Sequence, residues 1–153
     1  MLGDRCCIAC NIMQFICDAK SGKTWFRIET EPESESESAT LGHAVARYFS
    51  RAYESARASY QPLSGAGIER DIGLKAHISR TMPVFLTLRD DEGNGLATAM
   101  LPNADERATG EWRAIIVGPA NADPYVQHAE AIELLGNHFG LKLDHKRCYP
   151  YGR

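Results

Sequence analysis

Over residues 39–60 the apolar positions Leu41, Ala44, Val45, Tyr48, Ala52, Tyr53 and Ala56 recur at spacings of three and four. Side chains so spaced share one face of an α-helix. Arg47, Ser50, Arg51, Glu54 and Arg57 fall on the other side, and Pro62 supplies a stop. The pattern predicts one helix over residues 39–60, about 30 Å long at roughly 1.5 Å per residue. Its apolar stripe needs a sheet or further helices to cover it.

The flanking segments offer that cover. Residues 14–17 and 24–28 read as short strands joined by Asp18-Ala19-Lys20-Ser21-Gly22, a turn composition. Residues 29–38 alternate Glu with Thr, Pro or Ser and read as a solvated connection into the helix. Beyond Pro62, residues 63–71 read as a loop around Gly65 and Gly67, and residues 73–79 as a short strand. Residues 84–88 and 96–101 flank Asp90-Asp91-Glu92-Gly93-Asn94-Gly95, the strongest hairpin signal in the chain. Residues 102–110 form a polar excursion, and 112–117 a strand apolar enough at Ala114-Ile115-Ile116-Val117 to lie inside a sheet. Asp123-Pro124 begins a second helix whose face carries Tyr125, Ala129, Ile132, Leu135 and Phe139, ending near Gly140. A basic tail follows, with Lys142, Lys146, Arg147 and Arg153. The order ββαβββα implies an α+β domain: a two-layer sandwich of an antiparallel sheet of about five strands with both helices on one face.

Composition narrows the class without naming an activity. The chain has 153 residues, 44% apolar, with a net charge of −3. That suits one domain over residues 13–153, with residues 1–12 expected to be a disordered extension or an upstream start ahead of Met13. No global basic field points to nucleic acid, and no apolar run approaches the roughly 20 residues that span a bilayer. Asp4, Asn11 and Gln14 interrupt a secretory pattern in the first residues. Five cysteines, three of them clustered at Cys6, Cys7 and Cys10, suit a reducing cytoplasm better than a disulfide framework.

Motifs are incomplete. Gly22-Lys23-Thr24 matches the end of a phosphate-binding loop, but Cys17 replaces its first Gly and a strand follows. Gly65-Ala66-Gly67 has Arg70 where a dinucleotide fingerprint needs its third Gly. Neither a Gly-x-Ser-x-Gly elbow nor a His-Glu-x-x-His pair occurs. Cys7 and Cys10 have metal-clip spacing, and zinc would need two more ligands, for which His145 and Cys148 are the best placed and His138 a third option. Arg47 and Arg51, one helical turn apart, and His77 with Arg80 are the candidate residues for an anionic ligand. The expectation is therefore a non-catalytic cytoplasmic domain that binds a partner protein or small ligand, as a homodimer through Tyr48, Phe49, Tyr53 and Tyr60. Two alternatives stand beside it. One is a small enzyme with its site between the long helix and the sheet, using His77, Arg80 or Arg47. The other is a zinc- or thiol-dependent protein using Cys7, Cys10, His145 and Cys148.

Overall fold

The computed structural model describes residues 13–60 and 68–149. The expected extension over residues 1–12, the loop at Gly65 and Gly67, the stop at Pro62 and the end of the basic tail lie outside them. The α+β class is as expected. Strands β1 (Gln14–Asp18), β2 (Thr24–Arg27), β3 (Val84–Arg89), β4 (Gly95–Leu101) and β5 (Ala114–Val117) form an antiparallel sheet in chain order. A two-residue strand β6 (Cys148–Tyr149) adds to β5 in parallel, drawing the start of the basic tail into the sheet.

The helices depart further from the pattern. The segment over residues 29–38 is not a solvated connection but most of helix α1 (Glu31–Leu41). Thr30 and Glu33 form a reciprocal capping box, and Pro32 occupies the first turn. The chain then breaks at Gly42, whose φ of 66° closes α1 by hydrogen bonding to the Ser38 carbonyl. Helix α2 (Val45–Ser59) carries the apolar stripe expected of residues 39–60, with Val45, Phe49 and Ala56 buried. The single long helix is thus two helices folded against one another. The Ala46 amide donates to Ser38 Oγ at 2.8 Å and Ser50 Oγ donates to Glu31 Oε2 at 2.8 Å, stitching the pair at both ends. The expected strand over residues 73–79 lies within a third helix, α3 (Ile68–Thr81), and the polar excursion holds a short helix, α4 (Ala104–Ala108), capped by Asn103 and Glu106. Helix α5 (Tyr125–Phe139) begins close to the expected place but one residue later: Pro124 takes the cap position, and Asp123 before it accepts the Tyr125 amide on Oδ1 at 2.9 Å. Its buried face is centred on Ala131, Ile132, Leu135 and Gly136, with Ala129 outside it.

Where two helices on one face were expected, the sheet is covered on both. Side chains alternate across a strand, so β3 sends Val84, Leu86 and Leu88 one way and Phe85 and Thr87 the other. The first set joins Trp25, Ala97, Ala99, Leu101 and Ile116 in a core roofed by Ala131, Ile132 and Leu135 of α5. The Trp25 indole N–H donates to the Ala131 carbonyl at 2.8 Å, so the largest core side chain buries no unpaired polar atom. On the opposite face Phe85 packs with Val45, Phe49, Ala56 and Met82 beneath α2 and α3. Phe49 and Phe85 meet edge to face at 5.1 Å, and Tyr53 stacks on Phe49.

The return from α5 into the tail runs so close that Gly136 has no room for a side chain. A Cβ there would stand 2.5 Å from the Leu141 carbonyl oxygen, while the Leu141 amide donates to the Gly136 carbonyl at 2.8 Å. Gly136→Ala is therefore expected to lower stability by about 1–3 kcal/mol, the usual range for overpacking, despite raising helix propensity. Urea denaturation checks this: an unchanged or higher midpoint would contradict the close approach.

Candidate ligand site

The face of the sheet beneath α1 and α2 is polar at its centre. Thr87 on β3 and Thr98 on β4 pair across the strands there, and both are fully or almost fully buried. Helix α1 presents Ser34, Glu37 and Leu41 to this surface, spaced three and four apart and all buried. Ser34 satisfies itself by donating to the Glu31 carbonyl. Glu37, with no exposed surface, requires partners. Arg89, at the end of β3, donates to Glu37 Oε1 at 2.7 Å, and its side chain is only 19% exposed. The Thr98 hydroxyl donates to Glu37 Oε2. The same guanidinium also donates to Thr87 Oγ1 at 3.0 Å and to the Gly93 carbonyl at 3.2 Å, so its fork is held in one orientation.

His43 completes this chain of hydrogen bonds. The Val45 amide points at His43 Nδ1 at 3.4 Å, which makes Nδ1 the acceptor and places the ring proton on Nε2. Nε2–H then donates to Thr98 Oγ1 at 2.8 Å. The order is His43 to Thr98 to Glu37, with Arg89 closing the far end. It requires a neutral imidazole and an ionised carboxylate. Burial holds the His43 pKa below its ordinary value, only partly opposed by the Glu37 charge.

The exposed side of His43 opens into a cavity of about 270 Å³ between the start of α2 and strands β3 to β5. Its walls are mainly apolar, from Val45, Tyr48, Phe85, Met100, Ile115 and Val117, with His43 and Thr98 as a polar pole and Asn121 as a further polar residue in the lining. An apolar concavity with few convergent polar groups is the usual form of a small-molecule site. A second concavity, a groove of about 440 Å³ along α2, shares Tyr48 and Met100 with the first.

The residues expected from sequence distribute unevenly around these features. Arg47 and Arg51 are both exposed on α2, and Arg51 borders the groove, whereas Arg47 borders neither concavity. His77 and Arg80 come together on α3, with Nη2 of Arg80 at 3.4 Å from His77 Nδ1. His77 Nε2 also lies 2.8 Å from Ser59 Oγ, and Tyr60 packs on the ring. Ser59 donates its own proton to the Ala56 carbonyl, so it accepts from His77 rather than being activated by it. His145 pairs with Asp123 at 2.9 Å. Cys148 is completely buried, and burial pushes its thiol pKa up, away from the thiolate that a metal ligand must be. Cys7 and Cys10 lie outside the described residues. Among the described residues no group of three His, Cys, Asp or Glu is placed to hold a metal ion. Of the four aromatics expected at an interface, Phe49, Tyr53 and Tyr60 make contacts within the chain, and Tyr48 lines both concavities. No helix among the described residues is long and apolar enough to cross a membrane.

Nothing in the local sequence pattern marks Glu37, His43, Arg89 or Thr98, because their contacts join positions 52 to 61 residues apart. Comparison with protein-family models, curated proteins and solved structures found no match.

Two outcomes follow from this geometry. Glu37→Ala leaves the Arg89 guanidinium largely buried without its counter-charge, so it should cost about 3–5 kcal/mol, with the Glu37→Ala, Arg89→Ala pair costing less than the sum. Additive losses in urea titrations would show that the two side chains do not interact. Burial also depresses His128, whose Nδ1 accepts from Lys23 at 3.2 Å and whose pKa the lysine charge lowers further. For both histidines the unfolded chain binds protons near pH 6.5 and the folded chain does not. Their contribution is complete above that pH and is lost as pH falls below it toward the depressed folded values. The urea midpoint should drop between about pH 7 and pH 5, with a shallower drop in His43→Gln and His128→Gln; an identical slope in both variants would contradict this.

Proposed function

We propose that this domain binds a small, mainly apolar ligand carrying one hydrogen-bonding group, without converting it. The observation that carries this reading is the cavity itself: about 270 Å³, apolar along its walls, with the polar pole of His43 and Thr98 at one side. A buried cavity of about 150 Å³ takes up benzene, so this volume suits an occupant of about ten non-hydrogen atoms. The binding part is supported by the way the pole is built. Both nitrogens of His43 are occupied, and the Thr98 proton is committed to Glu37. With its donors spent inside the protein, the pole leaves the space beside it to the apolar body of a ligand, whose polar group stays at the mouth of the cavity. The same commitments leave neither residue poised as a base or nucleophile, which favours binding over catalysis.

The test uses 1-octanol, an uncharged amphiphile of suitable size. At about ten times its Kd it should raise stability by about 1.4 kcal/mol. It should also shift the NMR resonances of Val45, Ile115 and Val117. Val117→Phe fills the space from the sheet side and should abolish both effects while leaving the protein folded. An equal response in that variant, or shifts confined to other surfaces, would contradict the proposed site.

A further inference from the structure

The electrostatics around the two concavities identify which kind of small molecule suits them, an inference that rests on the proposed function. The cavity and the groove along α2 meet at Tyr48 and Met100. Tyr48 is 45% exposed, unusual for a large aromatic beside a core, and forms the rim between them. Arg51 stands one helical turn beyond Tyr48 on the same side of α2, bordering the groove. It is exposed and forms no ion pair among the described residues. The groove's other charged residue is Glu106, whose Oε1 accepts the Asn103 amide in the capping box of α4. Ser55, Ser59 and Asn103 add further polar side chains along the groove.

The inner pole has the opposite character. Behind Thr98 the Glu37 carboxylate is already paired with Arg89, and His43 is neutral, so a ligand charge of either sign driven to that end would lose its water and meet no free counter-charge. At the outer end the charged residues are Glu106, with one oxygen spent in the cap of α4, and Arg51, whose donors take no partner among the described residues and are free to meet a ligand. An anion with an apolar body is favoured in one orientation: its body in the cavity, its charge outside the rim where the guanidinium can take a carboxylate in its fork. We propose that the ligand is an amphipathic monoanion, an apolar chain or ring system ending in a carboxylate, and that Arg51 is its specificity-determining residue.

Calorimetric titration with octanoate, 1-octanol and octylammonium tests this on the full chain. Octanoate should bind about tenfold more tightly than 1-octanol, and octylammonium more weakly than either. Arg51→Gln, an exposed substitution that leaves the core untouched, should erase the advantage of octanoate while leaving 1-octanol unchanged. Arg47→Gln should leave all three unchanged. Equal binding of octanoate and 1-octanol to the unaltered protein would overturn the anionic assignment alone and leave the cavity reading standing. The same holds if Arg51→Gln weakens both equally. Failure of all three probes to bind would overturn the cavity reading and this inference with it.

Discussion

A carboxylate with no exposed surface holds this fold to a single arrangement. Glu37 can be buried only because Arg89 and Thr98 reach both of its oxygens, and those partners come from two strands of the sheet. Taking a charge out of water costs several kcal/mol unless charge and hydrogen bonds return. Helix α1 therefore has one position on the sheet in which Glu37 is satisfied, and sliding it by a turn would leave a buried charge bare. Apart from its two hydrogen bonds to α2, α1 contributes little else to hold it on the sheet: Leu41 is its one large buried apolar side chain, and Ser34 is self-satisfied. The polar contacts fix the place, and Leu41, packed at Gly95, supplies the apolar anchor.

That placement has consequences for the space beside it. With α1 fixed, the break at Gly42 delivers His43 to the Thr98 hydroxyl and starts α2 at Val45. The beginning of α2 then stands over the sheet where Phe85, Met100, Ile115 and Val117 project, leaving the cavity between them. The hydrogen-bond order along His43, Thr98 and Glu37 is set from the ionised end, since only a carboxylate that accepts from Thr98 leaves that oxygen free to accept from the imidazole. The polarity of the cavity is thus determined by a charge that the cavity does not itself expose.

The strands were readable because each carries its own signal. Asp90, whose side chain accepts the Glu92 and Asn94 amides, announces the β3–β4 turn locally, and the run from Ala114 to Val117 is apolar enough to need burial. Helix α1 was not readable from hydrophobic periodicity, because the side chains it buries at positions 34 and 37 are Ser and Glu. Glu37 looks like its solvated neighbours until Arg89, 52 residues later, is brought beside it. One local signal was present and passed over: Thr30 followed three residues on by Glu33, with Pro32 between, is a helix start. The site suffered the same blindness. Arg51 stood out as a basic residue on a helix face, whereas Thr98 and His43 acquire meaning only through contacts 55 residues apart. The second helical layer was misplaced for a related reason: β3 buries both faces, and an unbroken apolar run does not say which helix covers which side.

Native-state amide hydrogen exchange of residues 34–41 reads out whether the acidic segment is a helix docked on the sheet by Glu37. Docking predicts protection of these amides on the order of 10²-fold or more relative to an unstructured peptide, with exchange opening together with α2. Peptide-like exchange over residues 34–41, alongside full protection of β3 and β4, would contradict it.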